Sequence, residues 1–140
     1  MKKQRGFTLI ELLVVIAIIG LLSTLAVVAL NNARQKARDA RRVSDVKQIQ
    51  TALELYYNDE NGYPDGSAVG QEVDSGTDLL GPTSAVTYMS IIPTNPSPGG
   101  STYTYTRQSA STYSLTYTLE GPTGGLATGA HSATPAGIDD

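Results

Sequence analysis

Residues 12–30 contain no charged side chain. In helical form these nineteen residues span about 28 Å, close to the roughly 30 Å hydrocarbon layer of a bilayer. Inside hydrocarbon a backbone must satisfy its own hydrogen bonds. The run is therefore a helix, although its many Ile and Val residues have modest helix propensity. A basic leader of Lys2, Lys3 and Arg5 precedes it and ends at Gly6. One acid, Glu11, falls within the first turn and a half. A carboxylate in hydrocarbon costs roughly 2.5–3.5 kcal/mol at a helix centre and less near an end. Either Glu11 snorkels to the interface or it meets a positive partner. A plain anchor gives no reason for it. Gly20, Ser23 and Thr24 are soft points where another helix can approach or this one can loosen.

The chain has 140 residues, the length of one domain. With the apolar run set aside, roughly a hundred residues remain for a small core. Cysteine is absent, which excludes disulfides, thiol chemistry and cysteine-zinc sites. The lone histidine, His131, lies in a Gly/Ala/Thr stretch and reads as a solvated loop residue, since an imidazole ligand needs partners. The net charge of −3 hides a gradient. Arg34, Lys36, Arg38, Arg41, Arg42 and Lys47 face only Asp39 and Asp45, a net of +4 over residues 31–47. Residues 48–140 hold one base, Arg107, against ten acids, a net of −9. An acidic head argues against nucleic acid as a direct ligand.

No proline occurs before Pro64, and helix-compatible residues continue to about Tyr57. Val46, Ile49, Leu53 and Tyr56/Tyr57 recur at three- and four-residue steps, an apolar stripe for packing on a sheet. Arg34, Arg38, Arg41/Arg42 and Asp45 form a polar stripe, with Arg41 and Asp45 at i,i+4. Asn61-Gly62 and Pro64 signal the end. The spacing predicts one helix from about Thr8 to Asn58, roughly 75 Å long. Residues 65–85 read as a loop with a short turn at 78–80. Residues 86–92 read as a first strand or an extended segment, followed by a Pro/Gly turn cluster. Tyr103 and Tyr105 alternate with threonines. Tyr113, Leu115, Tyr117 and Leu119 alternate with Ser and Thr, so two strands join through a hairpin at 108–111. Their Tyr/Leu face should cover the helix stripe, with Ser and Thr outward. The tail, residues 120–140, has little to bury beyond Leu126 and Ile138. The fold class is α+β: one long amino-terminal helix, transmembrane in its first half, packed by its second half on a small antiparallel sheet. The expected divisions are residues 1–6, 7–30, 31–60 and 61–140.

A secretory signal peptide has an apolar core of about 7–15 residues with a small-residue cleavage site after it. Here the run is longer and Gly6 stands before it. A simple anchor also strains the positive-inside rule, because more bases follow the span than precede it. The stretch Arg5-Gly6-Phe7-Thr8-Leu9-Ile10-Glu11-Leu12 resembles the class III leader junction of type IV pilins and type II secretion pseudopilins. The resemblance implies cleavage between Gly6 and Phe7 by a prepilin peptidase of the inner membrane, and N-methylation of the new Phe7 amine. It implies that Glu11 and Phe7 serve filament assembly, the acid pairing with the terminal amine of a neighbouring subunit. Two opposite charges brought together in a low-dielectric core compensate each other, whereas each alone is penalised. Residues 52–64, ending Asn61-Gly62-Tyr63-Pro64, look like the end of the long helix in major pseudopilins and some short pilins. Residues 88–93 with Asn95-Pro96 resemble the approach to their sheet. The likeness covers residues 1–64 well and 86–119 loosely, and it makes the expected fold pilin-like.

Departures accompany it. Many pilins carry a proline where this chain has Val28, which bears on melting near Gly20. Major pseudopilins often bind calcium through aspartates in a carboxyl-terminal loop. The matching loop here supplies only Glu120, and calcium needs six to eight oxygens. No cofactor is expected. The basic cluster reads either as a solvated helix face or as charge contacts between subunits through Arg34, Arg38, Arg41 and Arg42. The tyrosines read as strand and core packing. No nucleophile–base–acid set and no phosphate loop is present, so the chain reads as a non-enzyme.

The resemblance implies a major pilin that polymerises with copies of itself into a surface filament for adhesion, twitching or DNA uptake. Its partners would be the prepilin peptidase, the inner-membrane assembly machinery and, before assembly, the membrane, with the amino terminus cytoplasmic. The alternative is a major pseudopilin of a type II secretion system, forming a periplasmic pseudopilus. A third reading is a membrane-anchored binding domain without a filament.

Overall fold

The computed structural model describes residues 6–65, 71–72 and 87–139. One helix, α1, runs Leu9–Glu60. The chain divides into two compact units, Met1–Arg34 and Gln35–Asp140.

In the first unit every described residue, including Leu9 to Leu30, is exposed. Such a surface is apolar on all sides, the signature of a helix meant for lipid or for other helices. This part of α1 is long and apolar enough to cross a membrane. The helix is unbroken through Gly20, Ser23 and Val28. Ser23 Oγ donates to Ile19 O and Thr24 Oγ1 to Leu21 O, each at 2.7 Å. The polar groups of the soft points are thereby satisfied within the helix itself.

In the second unit α1 becomes amphipathic. Val46, Ile49, Ala52 and Leu53 are buried, with Tyr56 and Tyr57 packed at the margin. The helix ends on Asn61 in the left-handed conformation (φ 55°), whose N–H donates to Tyr57 O at 2.9 Å. Asparagine tolerates this conformation better than most residues. Five antiparallel strands follow in the order β1-β2-β3-β4-β5. They are Gln71–Glu72, Thr104–Ser109, Thr112–Leu119, Gly129–Thr134 and Gly137–Asp139. The hairpin β2–β3 pairs Tyr105 with Leu115, and β3–β4 pairs Leu115 with Ala133. Tyr103, Tyr105, Tyr113, Leu115, Tyr117 and Leu119 all point into the core, as the alternation predicts.

Several expectations are settled differently. Of residues 86–92, the described part (87–92) contains no strand, which leaves the extended-segment alternative. It anchors through buried Ile92 and through the Tyr88 hydroxyl, which donates to Asp59 Oδ2 at 3.0 Å. The strand that extends the sheet beside β2 is instead β1, in a segment expected to be loop. The turn expected at 78–80 lies outside the described residues. The tail is also not idle: it supplies β4 and β5 and buries Ala133 and His131. His131 is therefore no solvated loop residue. It lies opposite Tyr117, ring centroids 5.7 Å apart, and Nε2 donates to Ala127 O at 2.9 Å.

All eight tyrosines belong to the second unit and tryptophan is absent, so tyrosine near-UV circular dichroism reports that unit alone. Leu115 is fully buried. Leu115→Ala is expected to cost about 2–5 kcal/mol in denaturant unfolding of the detergent-solubilised chain followed by that signal. Thr116→Ala, on the exposed face, should stay within about 0.5 kcal/mol.

Candidate functional site

The amino-terminal site is built by one turn of chain. Thr8 is the residue before the first helical position, and Glu11 stands three further on. Glu11 Oε2 accepts from Thr8 N at 2.8 Å and from Thr8 Oγ1 at 2.7 Å. Glu11 N in turn donates to Thr8 Oγ1 at 3.3 Å. This is a capping box, which satisfies donors that a helix start leaves bare. It is also the intrachain reason for an acid here. The sequence reading missed it, although the signal, Thr-x-x-Glu ahead of an apolar run, is explicit. Among the described residues no donor reaches Glu11 Oε1. Phe7 is 91% exposed, and the space around Gly6 is open. The helix start thus presents a bare aromatic residue and a carboxylate with one oxygen to spare.

The second cluster lies in the other unit and centres on Arg42, which is fully buried. Its Nε donates to Asn95 Oδ1 at 2.6 Å. Nη1 donates to Asp39 Oδ1 and Glu120 Oε1, each at 2.6 Å. Nη2 donates to Pro96 O at 2.8 Å and Gly99 O at 2.6 Å. All five guanidinium donors are used. Asp39 completes the joint by accepting from Glu120 N at 3.0 Å and Gly121 N at 2.9 Å. Arg38 grips Glu120 as a fork, Nε to Oε1 at 2.8 Å and Nη2 to Oε2 at 2.6 Å. Backbone approaches the guanidinium so closely that a Cβ at Gly100 (φ 74°) would lie 2.8 Å from Arg42 Nε. Hydrogen bonds from Arg38, with those of Arg42 after them, hold the Glu120 carboxyl down at about 2 against an ordinary 4.5. Nearby, Asp45 accepts from the Tyr103 hydroxyl at 3.0 Å, and burial pushes its carboxyl up.

The four arginines grouped by sequence therefore separate. Arg38 and Arg42 converge on Glu120 inside their own chain. Arg41 is 63% exposed, with its Nε 3.8 Å from Asp45. Arg34 is exposed in the first unit. Glu120, the one carboxylate of the loop compared with calcium sites, is already matched to two guanidiniums. A cation there would have to displace them.

The family model for the prokaryotic N-terminal methylation motif matches residues 1–27. Type II secretion system core protein G of Escherichia coli (strain K12) is 47% identical over 62 residues, 44% of this chain and 43% of that protein. The protein of the same name from Pectobacterium carotovorum subsp. carotovorum is 45% identical over 62 residues, 44% of this chain and 40% of the relative. A fimbrial protein of Pseudomonas aeruginosa is 44% identical over 54 residues, 39% and 35% of the two chains. No solved structure matches significantly. The chain spans less than half the length of these relatives. Over part of its length it is homologous to type II secretion core proteins G and to a fimbrial protein.

A carboxyl whose folded value is depressed stabilises the fold above its ordinary value, and that contribution is lost as pH falls through the folded value. The stability gap between the parent and Glu120→Gln is thus expected to be full above about pH 4.5 and to close toward about pH 2. Tyrosine-monitored unfolding across that window measures it. A gap independent of pH would contradict the assignment.

Proposed function

We propose that this chain is a structural subunit, processed before Phe7, that polymerises into a type IV pilus-like surface filament. The observation that carries this reading is the first unit: an exposed apolar helix opened by Phe7 and a half-satisfied Glu11. Such a surface is stable only against lipid or against other apolar helices. Before assembly it would lie in the inner membrane with its amino terminus cytoplasmic. After assembly the apolar runs would bundle inside a fibre, with the acidic, Ser/Thr-faced heads outside. Prepilin peptidase and an inner-membrane assembly apparatus would be its partners, with adhesion, twitching or DNA uptake as the use of the fibre. The subunit would supply no catalysis and hold no cofactor. A second reading, the major pseudopilin of a type II secretion system, is favoured by the name that the secretion relatives carry.

Electron microscopy of cells with and without the gene separates the two: loss of long surface filaments supports the pilus, and loss of secreted proteins alone supports the pseudopilus. Mass spectrometry of the mature protein tests the common premise. Cleavage anywhere other than before Phe7 would sink both readings. The capping box adds a control for Glu11. Thr8→Ala removes capping, at a cost of about 0.5–2 kcal/mol of helix stability, but keeps the acid. If Glu11 meets a neighbour's Phe7 amine, Thr8→Ala still assembles, whereas Glu11→Ala is processed but does not. Equal behaviour of the two variants would make Glu11 merely a cap.

A further inference from the structure

The chain contains neither cysteine nor tryptophan. Its eight tyrosines are therefore the side chains that most readily give up a single electron. Most of these rings lie beyond the reach of solvent: Tyr63, Tyr103, Tyr105, Tyr113 and Tyr117 are buried. The ring contacts Tyr57–Tyr63, Tyr63–Tyr113 and Tyr105–Tyr113 each include at least one of those buried rings. Tyr56 and Tyr88 differ. Both are half-buried, and their rings meet with centroids 5.3 Å apart and planes inclined by 63°. Such an edge-to-face pair sets the margin of one ring, where the ortho carbons lie, against the other. The Tyr88 hydroxyl donates to Asp59 Oδ2 at 3.0 Å. Asp59 is exposed, so a carboxylate in contact with water stands ready to take the phenolic proton. Two pieces of chain far apart in sequence meet here, the end of α1 and the segment that anchors through Ile92.

We propose that Tyr56 and Tyr88 form an oxidative cross-linking site, joined as dityrosine by a one-electron oxidant that a peroxide renews. The oxidant takes one electron from each ring. The Tyr88 proton passes to Asp59 Oδ2 and on to water, and the Tyr56 proton passes to water directly. Each phenoxyl radical carries spin on its ortho carbons. One ortho carbon of each ring then bonds to the other. The hydrogens on those two carbons move to the phenolic oxygens, which restores both aromatic rings and both hydroxyls. The net loss is two electrons and two protons. The O–O bond of the peroxide takes up the electrons, hydrogen peroxide giving water and persulfate giving sulfate. The product is a covalent bridge from α1 to the 87–92 segment in a chain that has no cysteine to make one. The site lies within one chain and does not depend on the filament reading.

Photo-oxidation of the detergent-solubilised full chain with tris(bipyridine)ruthenium and persulfate, followed by mass spectrometry, tests this. The expected product migrates as a single chain on a denaturing gel, shows dityrosine fluorescence and is two hydrogens lighter than the parent. Cleavage after glutamates should yield residues 55–60 joined to residues 73–120, with fragment ions placing the bond at Tyr56 and Tyr88. Tyr56→Phe and Tyr88→Phe should each abolish that peptide while keeping a cooperative unfolding transition, and Tyr57→Phe should keep it. Asp59→Asn removes the proton acceptor and should lower the yield about tenfold. The linked chain should unfold at a higher denaturant concentration than the unlinked one, because a bridge restricts the unfolded chain. Fluorescence confined to dimers and larger species would overturn the proposal. So would a bond joining residues 55–60 to 61–72 through Tyr57 and Tyr63, the absence of any linked peptide, or undiminished yield from Asp59→Asn.

Discussion

A buried arginine dictates how the carboxyl-terminal unit is put together. Arg42 has no exposure to solvent, and an unpaired guanidinium in that position would be strongly unfavourable. Its five donors therefore bind three separate pieces of chain to each other. Asp39 belongs to α1, Asn95, Pro96 and Gly99 to the segment before β2, and Glu120 to the end of β3. The apolar core of tyrosines and leucines supplies most of the burial, but it is non-directional. The guanidinium fork adds direction, because its planar geometry accepts only one arrangement of acceptors. The glycines beside it follow from the same constraint, since a side chain at Gly100 would occupy the guanidinium's place.

The single helix obeys two different rules along its length. Up to Leu30 it is apolar on every side and buries nothing in its own chain. From Asp39 it has an inner and an outer face. The first part must be completed by lipid or by other apolar helices, whereas the second is completed largely by the sheet. Similarity to the secretion and fimbrial relatives covers less than half of the chain, 62 residues in two cases and 54 in the third. The segment matched by the methylation-motif family, residues 1–27, lies within the unit whose surface is apolar on all sides.

Much of this was legible in the residues. The uncharged run, the stripe from Val46 to Tyr57 and the Tyr/Leu alternation of β2 and β3 each follow a period that hydrophobic burial imposes. Other parts were not. Gly129 to Thr134 lacks large β-formers, and it is a strand because β3 offers it a free edge and its small side chains fit beneath. His131 is buried for the same reason, through register opposite Tyr117 rather than through any local signal. Arginine is ordinarily a surface residue, and the partner that buries Arg42, Glu120, lies 78 positions away. No local pattern reports such a pair. Glu11 differs: its capping partner Thr8 is three residues away, a local signal that the sequence does carry.

Denaturant unfolding of Arg42→Met in the detergent-solubilised chain, followed by tyrosine near-UV circular dichroism, tests the dependence on the guanidinium most directly. The substitution keeps an apolar stem of similar length and leaves Asp39 buried with only backbone donors. A loss of about 3–5 kcal/mol is predicted, confined to the carboxyl-terminal unit. A variant as stable as the parent would contradict the account, placing the whole weight of that unit on its apolar core.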